Sequence, residues 1–131
     1  MNRSRALAPA VVALTAVLLS AGAAAPAMAK DGDVRRSGGC AGPATWKLKA
    51  SPEDGRIEVE GEIDRNRNGQ TWRWAFKHNG TVFARGTRTT AGRSGSFEVR
   101  RVTGNRAGTD RFVFNAHRPG ANEACHGVVR F

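Results

Sequence analysis

Apolar and polar side chains alternate with a period of two along most of the chain after residue 44, and turn-forming residues interrupt this alternation every eight to twelve residues. Such a pattern is typical of short antiparallel strands that each bury one face. No apolar stripe of helical period occurs after residue 30. The sequence therefore predicts an all-β protein with a single seven-stranded antiparallel β-sandwich. The seven predicted strands cover residues 45–50, 56–63, 71–77, 81–87, 96–102, 111–117 and 125–131.

The third predicted strand carries three aromatic side chains on one face, Trp72, Trp74 and Phe76. Exposed tryptophans can form a platform for sugar rings. A sandwich of this size needs large inner side chains, however, and this favours a place in the core. In the second predicted strand, Gly61 falls on the inner face, where a missing side chain makes room for a large neighbour.

An Asn-Gly pair at residues 79–80 separates the third and fourth strands and predicts a hairpin turn. A two-residue turn would pair the residues that flank it and place Phe83 beside the tryptophans. A three-residue turn with a bulge would instead place Val82 and Ala84 there. The sequence favours neither register, so both remain open.

The first 29 residues contain the three parts of a secretory signal peptide: basic residues near the start, an apolar run and an A-x-A exit at residues 27–29. The strongly apolar stretch, residues 6–19, is shorter than the roughly 20 residues that a membrane-spanning helix requires. We expect cleavage after Ala29 and a secreted, extracellular product without a transmembrane anchor. The predicted organisation is a signal peptide at residues 1–29, a flexible lead-in at 30–43 that carries Cys40, and a β-sandwich domain at 44–131.

The chain has two cysteines, Cys40 and Cys125. Thiols pair in an oxidising compartment, and two cysteines allow one pairing. Neither has the C-x-x-C neighbour that is typical of a metal or redox site. We therefore predict a Cys40–Cys125 disulfide, which closes a loop of 85 positions and stabilises the fold by about 4–5 kcal/mol through its effect on the unfolded chain.

The segment AGTDRFVFNA at the sixth predicted strand has the pattern D-x-F-x-F where immunoglobulin domains often carry D-x-Y-x-C. With the seven short strands and the aromatic third strand, residues 44–131 resemble the immunoglobulin and fibronectin type III sandwiches. The chain has no tyrosine, and its cysteines do not lie in the second and sixth strands. It also resembles small, Arg-rich secreted β-sandwich proteins of bacteria whose function is unknown. The resemblance implies that the third, fourth, sixth and seventh strands form one sheet, and it implies no activity.

Three side chains near the last predicted hairpin are candidate metal ligands: His117, Glu123 and His126. If His117 lies opposite His126, two imidazoles and a carboxylate are available for zinc or copper. Residues 64–69, DRNRNG, match the start of a calcium loop, but its twelfth position is Ala75 rather than Glu, and arginines lie between the ligand positions. We expect solvated histidines and a plain turn, so no metal or cofactor is predicted.

Basic residues are concentrated toward the C-terminal side. The formal net charge is +10, or +8 after removal of residues 1–29, which contain two arginines and no acids. Residues 30–84 carry ten basic and eight acidic side chains, whereas residues 85–131 carry nine and three. Strand alternation places candidates for an anion-binding face on the outside of one sheet: Arg73, Lys77, Arg111, Arg130 and, in the bulged register only, Arg85. The other sheet mixes basic residues with glutamates, and an Arg-rich composition that serves only solubility is the alternative.

No catalytic pattern is found. The string nearest to a G-x-S-x-G elbow is GRSGS at residues 92–96, in a predicted turn. Most of the acids are strand-face glutamates, and no pair stands out for general acid and base chemistry. We predict that the protein is not an enzyme.

The charge distribution favours a secreted, non-enzymatic binding domain that engages an anionic surface, polymer or acidic partner through its Arg-rich sheet face. The expected partner is an anionic cell-envelope polymer or another secreted protein, and we expect a monomer. Nucleic acid is disfavoured because no exposed aromatic and basic groove is predicted. A second hypothesis is a small proteinaceous inhibitor of an extracellular hydrolase that inserts the loop at residues 64–70 or 89–95. A third is a structural or interaction protein without a small-molecule site.

Overall fold

The computed structural model describes residues 32–131. The predicted signal peptide, residues 1–29, and the first two residues of the lead-in lie outside the described residues. Within the described part, all regular structure is β-strand and no helix is present. The strands are β1 (Val34–Gly39), β2 (Thr45–Glu53), β3 (Arg56–Asp64), β4 (Thr71–His78), β5 (Thr81–Thr89), β6 (Ser96–Gly104), β7 (Arg111–His117) and β8 (Ala124–Arg130).

The strands form two antiparallel sheets of four strands each, in the orders β1-β2-β3-β6 and β5-β4-β7-β8. The predicted all-β sandwich architecture is confirmed. The four strands that were expected to share a sheet do so as β4, β5, β7 and β8.

The described chain has eight strands where seven were predicted, because residues 34–39 of the expected lead-in form β1. This segment, VRRSGG, lacks the alternation that marks the other strands. It becomes a strand by pairing with the edge of β2 along its whole length, from Val34 opposite Ala50 to Gly39 opposite Thr45. Pairing with the edge of β2, rather than a local sequence pattern, therefore determines β1.

Left-handed backbone conformations form the two-residue turns of two hairpins. Asp54 and Gly55 have φ angles of 47° and 76° between β2 and β3, and Asn79 and Gly80 have φ angles of 47° and 88° between β4 and β5. Two consecutive residues with positive φ are the requirement of a type I′ hairpin turn, which explains the Asp-Gly and Asn-Gly pairs.

The β4–β5 hairpin combines features of both predicted registers. His78 pairs with Thr81 across the two-residue turn, but the register then shifts at a bulge, so that Phe76 lies opposite Ala84. Phe83, the extra residue, still stacks on Phe76 with ring centroids 5.8 Å apart. A bulge allows Phe83 and Ala84 to pack on the core together.

The core lies between the sheets and is rich in aromatic rings. Trp72, Trp74 and Phe76 are all buried, which confirms that they belong to the core. Gly61 faces Phe114, and a Cβ at Gly61 would lie 2.8 Å from that ring. The predicted reason for Gly61, room for a large neighbour, is therefore confirmed.

The disulfide between Cys40 and Cys125 is present and links the end of β1 to β8. Beside it, the indole of Trp46 packs between two strand glycines. A Cβ at Gly38 would lie 3.0 Å from this ring, and a Cβ at Gly127 would lie 2.6 Å from it. These contacts close the sandwich on the side where β1 and β2 meet β8.

Candidate functional site

All five predicted anion-binding residues lie on the outer face of the β5-β4-β7-β8 sheet. We call this surface the basic face. Inner residues of β4 are buried, so the residues between them point outward. The bulge brings Arg85 opposite Ala75, as required for Arg85 to join the outer face. The basic side chains of this face are Arg73, Lys77, Arg85, Arg111 and Arg130.

Strand register gathers part of the basic face around Ala75. Ala75 on β4 lies opposite Arg85 on β5 and Asn115 on β7. One step along the same strands, Arg73 lies opposite His117. We call these four polar residues the Ala75 cluster.

A shallow surface depression of about 560 Å³ lies over the Ala75 cluster. Ala75 has the smallest outward side chain on β4, so its position leaves a gap between longer neighbours. The lining residues are Arg73, Trp74, Ala75, Arg85, Gly86, Thr87, Asn115 and His117.

The remaining basic residues form a second group toward the other end of the strands. Arg111 on β7 lies directly opposite Arg130 on β8. Lys77 on β4 lies opposite Val113, the next outward residue after Arg111 along β7. Like charges directly opposite each other are unfavourable in a sheet, so this arrangement lowers stability unless an anion is nearby.

The charge of the basic face is not neutralised by acidic side chains of its own strands. None of the four strands of this sheet contains an aspartate or a glutamate. Among residues 32–131, none of the five basic side chains forms an ion pair with a carboxylate. Their charge is therefore available to a partner.

On the outer face of the other sheet, three basic residues form ion pairs with glutamates of the same sheet. They are Lys47–Glu62 (3.7 Å), Lys49–Glu60 (3.1 Å), Arg100–Glu60 (3.3 Å) and Arg100–Glu98 (2.7 Å). Burial acts to raise the pKa of Glu60, but hydrogen bonds and the charges of Lys49 and Arg100 outweigh it, so the pKa lies below its ordinary value. The predicted balance of charges on this sheet is thus realised as contacts.

The proposed pairing of His117 with His126 is wrong. His117 lies opposite Ala124, and His126 lies opposite Asn115, whose Oδ1 is 2.6 Å from His126 Nδ1. The two histidines are offset by two residues because the loop that joins β7 to β8, residues 118–123, is two residues shorter than a His117–His126 pairing would leave. Within the described residues, no group of three or more His, Cys, Asp or Glu side chains is arranged to hold a metal ion.

Glu123, the third metal candidate, instead joins two loops by ion pairs. Arg65 Nε donates to its Oε1 at 2.6 Å, and Arg118 donates to its Oε2. Burial acts to raise the pKa of Glu123, but the hydrogen bonds from Arg118 and Arg65 and their charges outweigh burial and hold it below its ordinary value. Arg65, one of the two arginines of the calcium-like loop, is therefore paired with a carboxylate.

The two loops that the inhibitor hypothesis inserts into a hydrolase, residues 64–70 and 89–95, lie side by side. Thr90 joins them: its N–H donates to Gln70 O at 2.9 Å, and its hydroxyl donates to Arg67 O at 2.6 Å. Arg65 N–H also donates to Gly95 O at 3.1 Å. Residues 64–70 and 89–95 consequently form one hydrogen-bonded surface.

The sequence pattern did not predict a buried polar group formed by His78, Asp110 and Thr103. His78 Nε2 lies 2.5 Å from Asp110 Oδ1, and His78 Nδ1 lies 3.2 Å from Thr103 Oγ1. The imidazole ring packs on Phe112 with centroids 4.5 Å apart. Hydroxyl, imidazole and carboxylate follow the order of a hydrolytic triad, but His78 and Asp110 are only 1% and 0% exposed, so a substrate has no access to them. The alternation of β4, which makes His78 the next inward residue after Phe76, was the signal that could have revealed it.

The chain matches no family model, no curated protein and no solved structure. Among the described residues, there is also no helix long and apolar enough to cross a membrane.

Proposed function

We propose that the protein is a secreted, non-enzymatic binding domain that engages an anionic polymer, surface or acidic partner through the basic face. The observation that carries this proposal is the contrast between the two sheets. One outer face pairs Lys47, Lys49 and Arg100 with its own glutamates, whereas the basic face leaves five basic side chains without a carboxylate among the described residues.

The physical advantage of such a face is twofold. Guanidinium groups form bidentate hydrogen bonds with carboxylate and phosphate oxygens. A surface of one charge sign also raises the rate at which an anionic partner arrives. Both effects need arginines that no carboxylate neutralises, and the basic face supplies four: Arg73, Arg85, Arg111 and Arg130.

We also propose that the domain is immunoglobulin-like or fibronectin type III-like. The strand order β5-β4-β7-β8 opposite β2-β3-β6 supports this proposal, because it is the sheet division that the resemblance implies. In this description, β1 is an added edge strand.

The test of the basic face is retention of the purified protein on immobilised polyphosphate and on isolated cell envelope across a salt gradient. Replacing Arg73, Arg111 and Arg130 with Ser removes three charges from the face. We expect this variant to elute at clearly lower salt than the wild type, with a weaker dependence of affinity on salt, because fewer counterions are released on binding.

The matched control removes the same charge elsewhere. Arg36, Arg56 and Arg93 are exposed and lie outside the basic face, so the variant with these three changed to Ser has an identical net charge. We expect it to elute close to the wild type. Equal elution of the two triple variants would mean that only net charge matters, and the proposed role of the face would be wrong.

A second candidate function is inhibition of an extracellular hydrolase. It is favoured by the hydrogen bonds that hold residues 64–70 and 89–95 together, because a preorganised loop surface loses less entropy on insertion into a cleft. Binding of this kind depends less on salt than polymer binding does. A complex that survives high salt and is lost on changing the exposed Arg67 and Arg93 to Ser would favour this function over the first.

A further inference from the structure

The depression over Ala75 is surrounded by hydrogen-bond donors from three neighbouring strands. Arg73 comes from β4, Arg85 from β5, and Asn115 and His117 from β7. Each guanidinium offers two or more N–H groups in a planar fork. The donors therefore approach the space above Ala75 from opposite sides.

The neighbouring His126 determines which end of the Asn115 amide a ligand meets. His126 Nδ1 lies 2.6 Å from Asn115 Oδ1, so the amide oxygen accepts the imidazole N–H. The NH₂ group of Asn115 is then the end that is left for other contacts. The amide of Asn115, which contains both a donor and an acceptor, thus acts as a donor at the depression.

This set of donors fits a phosphate group better than a carboxylate. A carboxylate is planar, and one bidentate arginine occupies both of its oxygens along one edge. A phosphate is tetrahedral and presents oxygens in several directions, as do the donors of the Ala75 cluster. No acidic side chain occurs in these strands to repel its charge.

We propose that the depression over Ala75 binds one phosphate group, held between Arg73 and Arg85 with Asn115 and His117 as further donors. This inference rests on the proposed function, since it names the anionic group that the partner carries. Lys77, Arg111 and Arg130 then face the next charges of a phosphate-containing polymer. Alternation at about 3.4 Å per residue places Lys77 roughly 14 Å along the strand from Arg73.

The test is titration of the isotope-labelled protein with inorganic phosphate, methyl phosphate, dimethyl phosphate and acetate, followed by NMR at constant ionic strength and pH. We expect phosphate to shift the amide signals of residues 73, 75, 85, 86 and 115, with an affinity at least about tenfold above that of acetate. Methyl phosphate and dimethyl phosphate distinguish a terminal phosphate from a diester link as its source. Equal affinities for phosphate and acetate, or shifts spread over both sheets, would overturn the proposal.

Two variants locate the site without changing the net charge. Ala75→Leu fills the depression, and Arg85→Lys keeps the charge at an exposed edge position but loses the guanidinium fork. We expect Ala75→Leu to abolish the phosphate shifts and Arg85→Lys to weaken affinity about fivefold or more. If Ala75→Leu fails to fold, Arg85→Lys decides alone, and unchanged phosphate affinity in this variant contradicts the proposal.

The outcome also separates this proposal from the function on which it rests. Salt-dependent retention that requires the basic face, without phosphate selectivity at Ala75, would remove the phosphate site and leave the proposed function standing. Selective phosphate binding at Ala75, without polymer or envelope retention, would remove the proposed function and leave a phosphate site.

Discussion

At the scale of single residues, buried polar groups in this protein depend on particular partners. His78 is almost completely buried at the end of β4 and is held by Asp110 and Thr103 from elsewhere in the chain. The pair with Asp110 spans 32 positions of sequence. An unpartnered imidazole at this position would cost the full desolvation of its N–H group, so Asp110 is the critical member.

We expect Asp110→Ala to lower the free energy of unfolding by about 3–5 kcal/mol, because it leaves a buried imidazole without its closest partner. Thr103→Val removes the longer hydrogen bond at the other ring nitrogen and should cost about 1 kcal/mol. Urea unfolding monitored by tryptophan fluorescence measures both. Exposed Glu53→Ala, expected within about 0.5 kcal/mol of wild type, is the control. A loss below about 1 kcal/mol in Asp110→Ala would show that the pair is not needed for stability.

At the scale of elements, the loops at one end of the sandwich are joined by ion pairs and hydrogen bonds. Glu123 in the β7–β8 loop pairs with Arg65 in the β3–β4 loop, 58 positions away, and with Arg118 in its own loop. Gly42 packs against the same glutamate, since a Cβ there would lie 2.9 Å from Glu123 Cγ. Three connections of the chain therefore converge on one carboxylate.

We expect Glu123→Gln to destabilise the protein by about 1–3 kcal/mol at neutral pH, because it removes the charge that two arginines share. The pKa of Glu123 is lower in the folded protein than its ordinary value of 4.5. Its stabilisation is therefore complete above that value and is lost as the pH falls through the lower folded pKa. The difference in unfolding free energy between wild type and variant should shrink below about pH 4.5. The control is Glu53→Gln, which removes an exposed carboxylate; its difference in unfolding free energy from wild type should not shrink at low pH. If the difference for Glu123→Gln does not depend on pH, the ion pairs assigned to Glu123 do not contribute to stability in this way.

At the scale of the whole molecule, the disulfide joins the first and last strands and the two sheets divide the charge. Cys40 and Cys125 connect the β1-β2-β3-β6 sheet to the β5-β4-β7-β8 sheet over 85 positions. The disulfide lies at the loop end of β8, whereas the basic face lies along the outside of the sheet. Stability and binding should therefore respond separately to changes in these two features.

We expect replacement of both cysteines by Ser to lower the free energy of unfolding by about 4–5 kcal/mol, since the unfolded chain is then no longer closed into a loop. Thermal unfolding of the variant beside wild type in oxidising and reducing buffer measures this loss. The reduced wild type should match the variant, which separates the bond from the substitution. At a temperature where the variant is folded, its retention on polyphosphate should equal that of wild type, and a changed retention would mean that the disulfide shapes the basic face.

Local sequence determined the seven strands from β2 to β8, the Asp-Gly and Asn-Gly turns, the inward tryptophans, the need for Gly61 and the pairing of two cysteines. Alternation and turn chemistry act over a few neighbouring residues, and two cysteines allow only one pairing. Each of these features therefore follows from the sequence. Only the tertiary structure decided that VRRSGG is a strand, that Phe83 and Ala84 both reach the core, and that His117 misses His126. It also decided that Glu123 belongs to two arginines while Arg73 and Arg85 have no carboxylate partner in the described chain. The physical reason is that these features depend on which distant strand edge or side chain lies next to a residue. Alternation with a period of two determines only the face of the sheet on which a residue lies.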